Sequence, residues 1–162
     1  MGKTEKGIGI LIIILMIIRL SFYLPILNTA IVLLTVILSL IYFAISFALL
    51  NNIRLRNIFK KKSYSGIGIL RIIGTIFTGF VLSMICNYSL FKFMRLPFAN
   101  QGLSISLISL LIPIIIVIIK FTISKNIFYK NFLIRLIIFG AIGVIFYFTS
   151  TEQILEIKNR DY

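Results

Sequence analysis

The sequence predicts an all-α integral membrane protein with about five transmembrane helices in a single bundle over residues 1–162. Hydrophobic residues make up 60% of the chain and its mean hydropathy is +1.11, whereas a soluble domain is nearer half apolar. The 17 lysines and arginines outnumber the 4 acids. These cations lie in short clusters between long apolar runs, which is typical of the loops of a multi-pass membrane protein and does not indicate a nucleic-acid partner.

The first two predicted spans are 7–24 and 30–50, joined by a tight turn. Pro25 cannot continue a helix, and Asn28 is a residue type that caps the next one. Arg19 lies close enough to the end of its span to reach the headgroups. An alternative with four spans, in which the first run is peripheral, leaves the turn at Pro25 uncovered.

The remaining predicted spans are 66–91, 103–119 and 131–148. The turn between the first two of these contains Pro97 and Asn100. Pro113 interrupts the middle of the fourth span, where it removes a backbone hydrogen bond and favours a kink. The third span, at 26 residues, exceeds the length that a bilayer requires, so we expect its ends to protrude or the helix to tilt.

The distribution of cations predicts the orientation. With the N-terminus inside the cell, the inner segments hold ten cations: two before residue 7, five in 51–65 and three in 120–130. The outer segments hold four. The positive-inside rule therefore predicts the N-terminus inside and the C-terminus outside. The cations expected to contact lipid headgroups or a partner carboxylate are Arg19, Arg71, Lys92, Arg95 and Arg135.

Two short similarities suggest an internal duplication. Residues 7–11 (Gly-Ile-Gly-Ile-Leu) recur at 66–70, and Leu-Pro-Ile-Leu-Asn at 24–28 resembles Leu-Pro-Phe-Ala-Asn at 96–100. Two parallel helical hairpins followed by a fifth helix would explain the pattern, and internal repeats are common in membrane proteins. Chance similarity within an Ile/Leu-rich sequence is the alternative.

Small residues in the third span predict a helix-packing face. Thr75, Gly79 and Ser83 are four residues apart and therefore share one side of a helix, which Gly74 and Thr78 extend. Small side chains allow two backbones to approach closely in a membrane. The face serves either packing inside the bundle or contact with a partner or a second copy of the chain.

The composition argues against most catalytic chemistry. The chain has no histidine, one cysteine, Cys86, and four acids that all lie near its two ends. Metal ligation and catalytic triads draw on these residue types, and ion-coupled transport commonly uses carboxylates within the spans. We therefore predict a non-enzymatic protein with no catalytic residue, no metal site and no cofactor.

The sequence Leu-Phe-Lys-Phe-Met-Arg-Leu-Pro-Phe-Ala-Asn at 90–100 resembles the hairpin turn of the GldL/PorL family of inner-membrane proteins in the gliding motility and type IX secretion systems of Bacteroidota. The resemblance covers residues 85–112, with an echo at 18–40. The family's turn glycine is Phe98 here, its turn histidine is Arg95, and its intramembrane glutamate has no counterpart in 103–119. The resemblance thus implies the hairpin and the inner membrane without the motor activity.

Together these features predict a small multi-pass protein of the bacterial inner membrane, in contact with the lipid bilayer, that is a structural or accessory subunit of a membrane complex. Its partner would be another membrane protein or a second copy of the chain. A channel or membrane-perturbing effector is the first alternative, and a membrane-resident immunity protein is the second.

Overall fold

The computed structural model describes residues 3–21, 25–51 and 53–149, and this part of the chain is all-helical. The five helices are α1 (Lys3–Ser21), α2 (Pro25–Leu50), α3 (Ile69–Met94), α4 (Ala99–Ser124) and α5 (Ile127–Phe148). Two single turns of 3₁₀ helix, Leu55–Asn57 and Lys61–Tyr64, lie in the connection between α2 and α3. The predicted all-α fold class is therefore confirmed for the described residues.

Four of the helices, α2 to α5, are long and apolar enough to cross a bilayer. Their 22 to 26 residues correspond to roughly 33–39 Å, against a hydrocarbon core of about 30 Å. Helix α1 contributes a further apolar stretch, Gly7–Met16. The structure thus supports four of the five predicted spans.

The helix boundaries correct the predicted turn at Pro25 and Asn28. Helix α2 begins at Pro25 instead of at residue 30, so Asn28 lies inside its first turn and does not cap it. Proline is tolerated at a helix start because the amide hydrogen that it lacks would have no acceptor there. The connection itself, residues 22–24, lies outside the described residues.

The helices α3 and α4 are also displaced from their predicted limits. Helix α3 begins at Ile69, after Gly66 at φ 82° and the extended Gly68. Helix α4 begins at Ala99, so Pro97 belongs to the connecting turn but Asn100 belongs to the helix. Pro113 is buried within α4, which continues through it to Ser124.

Helix α3 is central to the bundle because it packs against α2, α4 and α5. Further contacts join α1 to α2 and α4 to α5. The core contains fully buried Leu82 and Ile85 of α3, Tyr42 of α2 and Leu136 of α5. The Tyr42 ring meets the Phe139 ring edge-on, with 5.0 Å between their centroids, a geometry that aromatic pairs favour.

Polar and small residues form the interface between α2 and α3. The hydroxyls of Ser39 and Ser83 are hydrogen-bonded at 2.8 Å. One turn further along, Gly79 faces Ser46: a Cβ added at Gly79 would overlap the Ser46 side chain and lie 2.7 Å from the Tyr42 carbonyl oxygen. Helix α2 departs from helical geometry at the adjacent Ile45 (φ −128°, ψ 17°). The two backbones therefore approach each other as closely as the side chains permit.

The face predicted from the spacing in α3 is thus an internal contact with α2. Thr75, Thr78, Gly79 and Ser83 are buried. Gly74 does not belong with them, because it is exposed and a Cβ added there would meet nothing within 4 Å. Its position, one residue before Thr75, turns it about 100° away on a helix of 3.6 residues per turn.

These two glycines form a matched pair for testing the packing. We expect Gly79→Ala to destabilise the protein by about 1–3 kcal/mol, since the new methyl group requires α2 and α3 to separate. Gly74→Ala should leave stability unchanged or raise it by up to about 1 kcal/mol through helix propensity. Thermal unfolding of both variants in one mild detergent measures the difference. Equal stabilities would contradict the close contact.

Candidate functional site

The charged side chains gather at the two ends of the helical bundle. The basic end comprises the connections 51–68 and 125–126 with the adjoining helix termini. The turn end comprises the connection 95–98 with the C-terminal turn of α3 and the N-terminal turn of α4. The two ends differ in how their cations are placed.

At the basic end most cations face outward. Eight exposed cations lie there and no acid accompanies them in the described segment 53–149: Arg54, Arg56, Lys60, Lys61, Lys62, Lys120, Lys125 and Lys130. Exposed ammonium and guanidinium groups at a membrane surface attract anionic lipid headgroups. This end of the bundle is therefore suited to a negatively charged leaflet.

Arg71 differs from these because it takes part in a hydrogen-bonded cluster. Its Nε donates to the Asn51 side-chain oxygen at 2.8 Å, and its guanidinium lies 3.5 Å from the centre of the Phe128 ring. Asn51 in turn donates to Phe47 O at 2.7 Å and to the Thr75 hydroxyl at 3.1 Å. The cluster joins the end of α2 to the starts of α3 and α5, which gives Arg71 a structural contact in addition to the predicted headgroup contact.

At the turn end the two cations are enclosed instead of exposed. Lys92 is only 5% exposed, although it lies in the last turn of α3. Its Nζ donates a short hydrogen bond to the side-chain oxygen of Asn100 in α4. Arg95 is half-buried, and its Nη2 is buried with no hydrogen-bond partner in the structure. Between residues 53 and 149, the described segment to which both belong, no acid is present to pair with either cation.

The backbone of this turn places two non-glycine residues in the left-handed region. Arg95 ends α3 at φ 60°, with its N–H bonded to Lys92 O and the Leu96 N–H bonded to Phe91 O, the pattern of a Schellman motif. Phe98 follows Pro97 at φ 63°, ψ 5°, as at the third position of a type II turn. Each such residue costs about 1–3 kcal/mol, so the surrounding structure must hold the turn in place.

A pocket of about 400 Å³ opens beside these residues. Its lining consists of Lys92, Arg95, Leu96, Phe98, Ala99, Asn100 and Gln101. No side chain caps the N-terminus of α4 at this point, and the first amide with a helical acceptor is that of Gly102, bonded to Phe98 O. The pocket thus combines two cations with the unpaired amides of a helix start.

The other predicted cations lie elsewhere. Arg135 is 3% exposed and lies within α5; its predicted contact with a headgroup or a partner stays a prediction. Arg19 lies in α1, and its side chain is outside the described residues.

A second cavity, of about 540 Å³, lies between α1, α2, α3 and α5. Its lining is apolar except for a few small polar groups, among them the buried Ser89 hydroxyl, for which the structure shows no partner.

Sequence reasoning missed the roles of Asn51 and Phe128. Asn51 directly follows a long apolar run, where a polar residue is expected in any membrane protein. No local sequence pattern indicates that its side chain pairs with Thr75.

Within the described residues no group of three His, Cys, Asp or Glu side chains is placed to hold a metal ion.

Comparisons with protein-family models, with curated proteins and with solved structures find no match to this chain.

The hydrogen-bonded cluster at the basic end predicts a sharp difference between two asparagines. Asn51→Ala should destabilise the protein by about 2 kcal/mol, because it removes three hydrogen bonds, one of them to a charged group, from a buried position. Asn57→Ala, in the same connection and without a side-chain hydrogen bond, should change stability by less than about 0.5 kcal/mol. Thermal or denaturant unfolding in detergent measures both, and a similar effect at the two sites would contradict the cluster.

Proposed function

We propose that this protein is a multi-pass protein of the bacterial inner membrane that acts as a non-enzymatic structural or accessory subunit of a membrane complex. The observation that carries this proposal is the combination of four helices long and apolar enough to span a bilayer with eight exposed cations at one end of the bundle. These two features support a role that depends on contacts with lipid and with the helices of other membrane proteins.

The orientation follows from the charge asymmetry. The described turn end carries Lys92 and Arg95, both enclosed, whereas the basic end carries exposed cations in both of its connections. Under the positive-inside rule the basic end faces the cytoplasm and the turn 95–98 faces outward. We further propose that α1 inserts as a fifth span, which puts the N-terminus inside and the C-terminus outside.

We also propose that α3 and α4 form a hairpin of the GldL/PorL type. The two helices are in contact and are joined by four residues. The Tyr88 ring packs on Gly102, where a Cβ would overlap it. Phe98, at the place of the family's turn glycine, has a left-handed conformation that glycine adopts readily. A parallel hairpin formed by α1 and α2, of common origin with this one, belongs to the same proposal.

Cysteine accessibility tests the orientation. In a Cys86→Ser background, single cysteines at Lys61 and Ser124 should resist an impermeant thiol reagent in intact cells, because both lie at the basic end. A cysteine at Leu96 should react. After permeabilisation all three should be labelled, which controls for burial. Labelling at Lys61 and Ser124 with protection at Leu96 would reverse the orientation.

Photo-crosslinking in native membranes tests the proposed complex. A photoreactive residue is introduced at one exposed isoleucine of each spanning helix. The four positions are Ile37 on α2, Ile73 on α3, Ile115 on α4 and Ile145 on α5. We expect a discrete protein adduct from one of these faces and lipid adducts from the others. The same residue at buried Leu110 of α4 is the control and should give neither. Lipid adducts alone at all four positions would contradict membership in a complex.

A further inference from the structure

The pocket at the turn end contains the ammonium group of Lys92 in a buried position, where a positive charge normally has an anionic partner. Lys92 is 5% exposed, and the structure gives its Nζ a single partner, the neutral side-chain oxygen of Asn100. An ammonium has three donors, and a buried cation without an anionic partner is energetically unfavourable. The lining of the pocket includes no acid. Within the part of the chain that the structure describes, the positive charge of this site therefore has no anionic partner.

Arg95 supplies a second, independent sign of a missing partner. Its Nη2 atom is buried and makes no hydrogen bond in the structure, although a buried donor left unpaired is costly.

The start of α4 adds partial positive charge to the same pocket. The amides of Ala99, Asn100 and Gln101 precede the first helical hydrogen bond, and no side chain caps them. The helix dipole favours an anion at this end. Charge, unpaired donors and space therefore coincide within about 400 Å³.

We propose that this pocket binds a phosphate group, with Lys92, Arg95 and the first amides of α4 as its donors. A tetrahedral anion with several acceptor oxygens matches donors that approach from two side chains and a helix terminus, whereas a carboxylate offers only two oxygens. Phe98, which is 72% exposed and also lines the pocket, supplies an apolar surface next to the phosphate for the glycerol or acyl part of a lipid. The phosphate is carried by an anionic phospholipid or by a small phosphate ester in solution, and the test separates the two.

The test uses the full-length protein in neutral detergent and in nanodiscs. In detergent, sodium phosphate and glycerol 3-phosphate are titrated at constant ionic strength while unfolding temperature is followed. In nanodiscs, retention of phosphatidylglycerol against phosphatidylcholine is measured by native mass spectrometry. A rise in unfolding temperature with sodium phosphate or glycerol 3-phosphate assigns a solution ligand. Selective retention of phosphatidylglycerol, with little response to these two soluble compounds, assigns a lipid headgroup.

Two variants attribute the binding to this pocket. Lys92→Met removes the ammonium but keeps the volume, and Arg95→Asn removes the guanidinium but suits the left-handed backbone. Each should weaken phosphate binding by about tenfold or more, while unfolding temperature without phosphate stays equal or rises. Lys130→Gln, an exposed cation at the opposite end, is the matched control and should bind as the parent does.

Three outcomes would overturn the proposal. The first is that Lys92→Met and Arg95→Asn bind phosphate as tightly as the parent. The second is that Lys130→Gln loses as much binding as they do, which would indicate non-specific attraction to a basic protein. The third is that the parent shows neither a response to the soluble phosphates nor selective retention of phosphatidylglycerol. If the chain's own acids fill the pocket instead, neutralising Glu152 and Glu156 will lower the unfolding temperature of the parent but not that of Arg95→Asn.

Discussion

The close approach of α2 and α3 at Gly79 is the contact on which the rest of the bundle depends. In a bilayer, lipid tails are as apolar as leucine, so helices associate through van der Waals contact and polar bonds instead of through the hydrophobic effect. Gly79 brings the backbones together at Ser46. The hydroxyl pair Ser39–Ser83 lies on one side of this point and the Asn51–Thr75 pair on the other. These three contacts set the register of α3, which then presents its other sides to α4 and α5.

The cations of this protein have different roles according to their depth. Those of the basic end are exposed and keep their hydration, so they pay little desolvation free energy. Their effect on the orientation of the protein in the membrane is large. Lys92 is enclosed beside a strained turn, where its charge lowers stability unless an anion compensates it. A count of charges along the chain cannot distinguish these two situations, because it contains no information on which face of a helix is covered.

The sequence predicts the helices well and the turns less well. Apolar runs of about twenty residues predict α2 to α5, and the four-residue spacing of Thr75, Gly79 and Ser83 identifies a common face, because both signals come from local periodicity. The start of α2 was predicted wrongly, since proline is compatible with the first turn of a helix as well as with a loop. The enclosure of Lys92 and the stacking of Arg71 on Phe128 depend on how separate helices meet, which local sequence does not encode.

The polar side of α3 has a consequence for the order in which the chain enters the membrane. Among the four spanning helices α3 has the lowest mean hydropathy, because its buried side carries Thr75, Thr78 and Ser83. Helix α2 leaves the ribosome first, so the groups that pair with Thr75 and Ser83 are already in the bilayer when α3 emerges. Helix α4 follows after four residues and is the most apolar of the set. The least hydrophobic of the four helices is thus synthesised between the helix that carries its polar partners and the most hydrophobic one, and both neighbours favour its insertion. A circular permutation that placed α3 first would remove the partners on α2 from the bilayer at the moment α3 inserts.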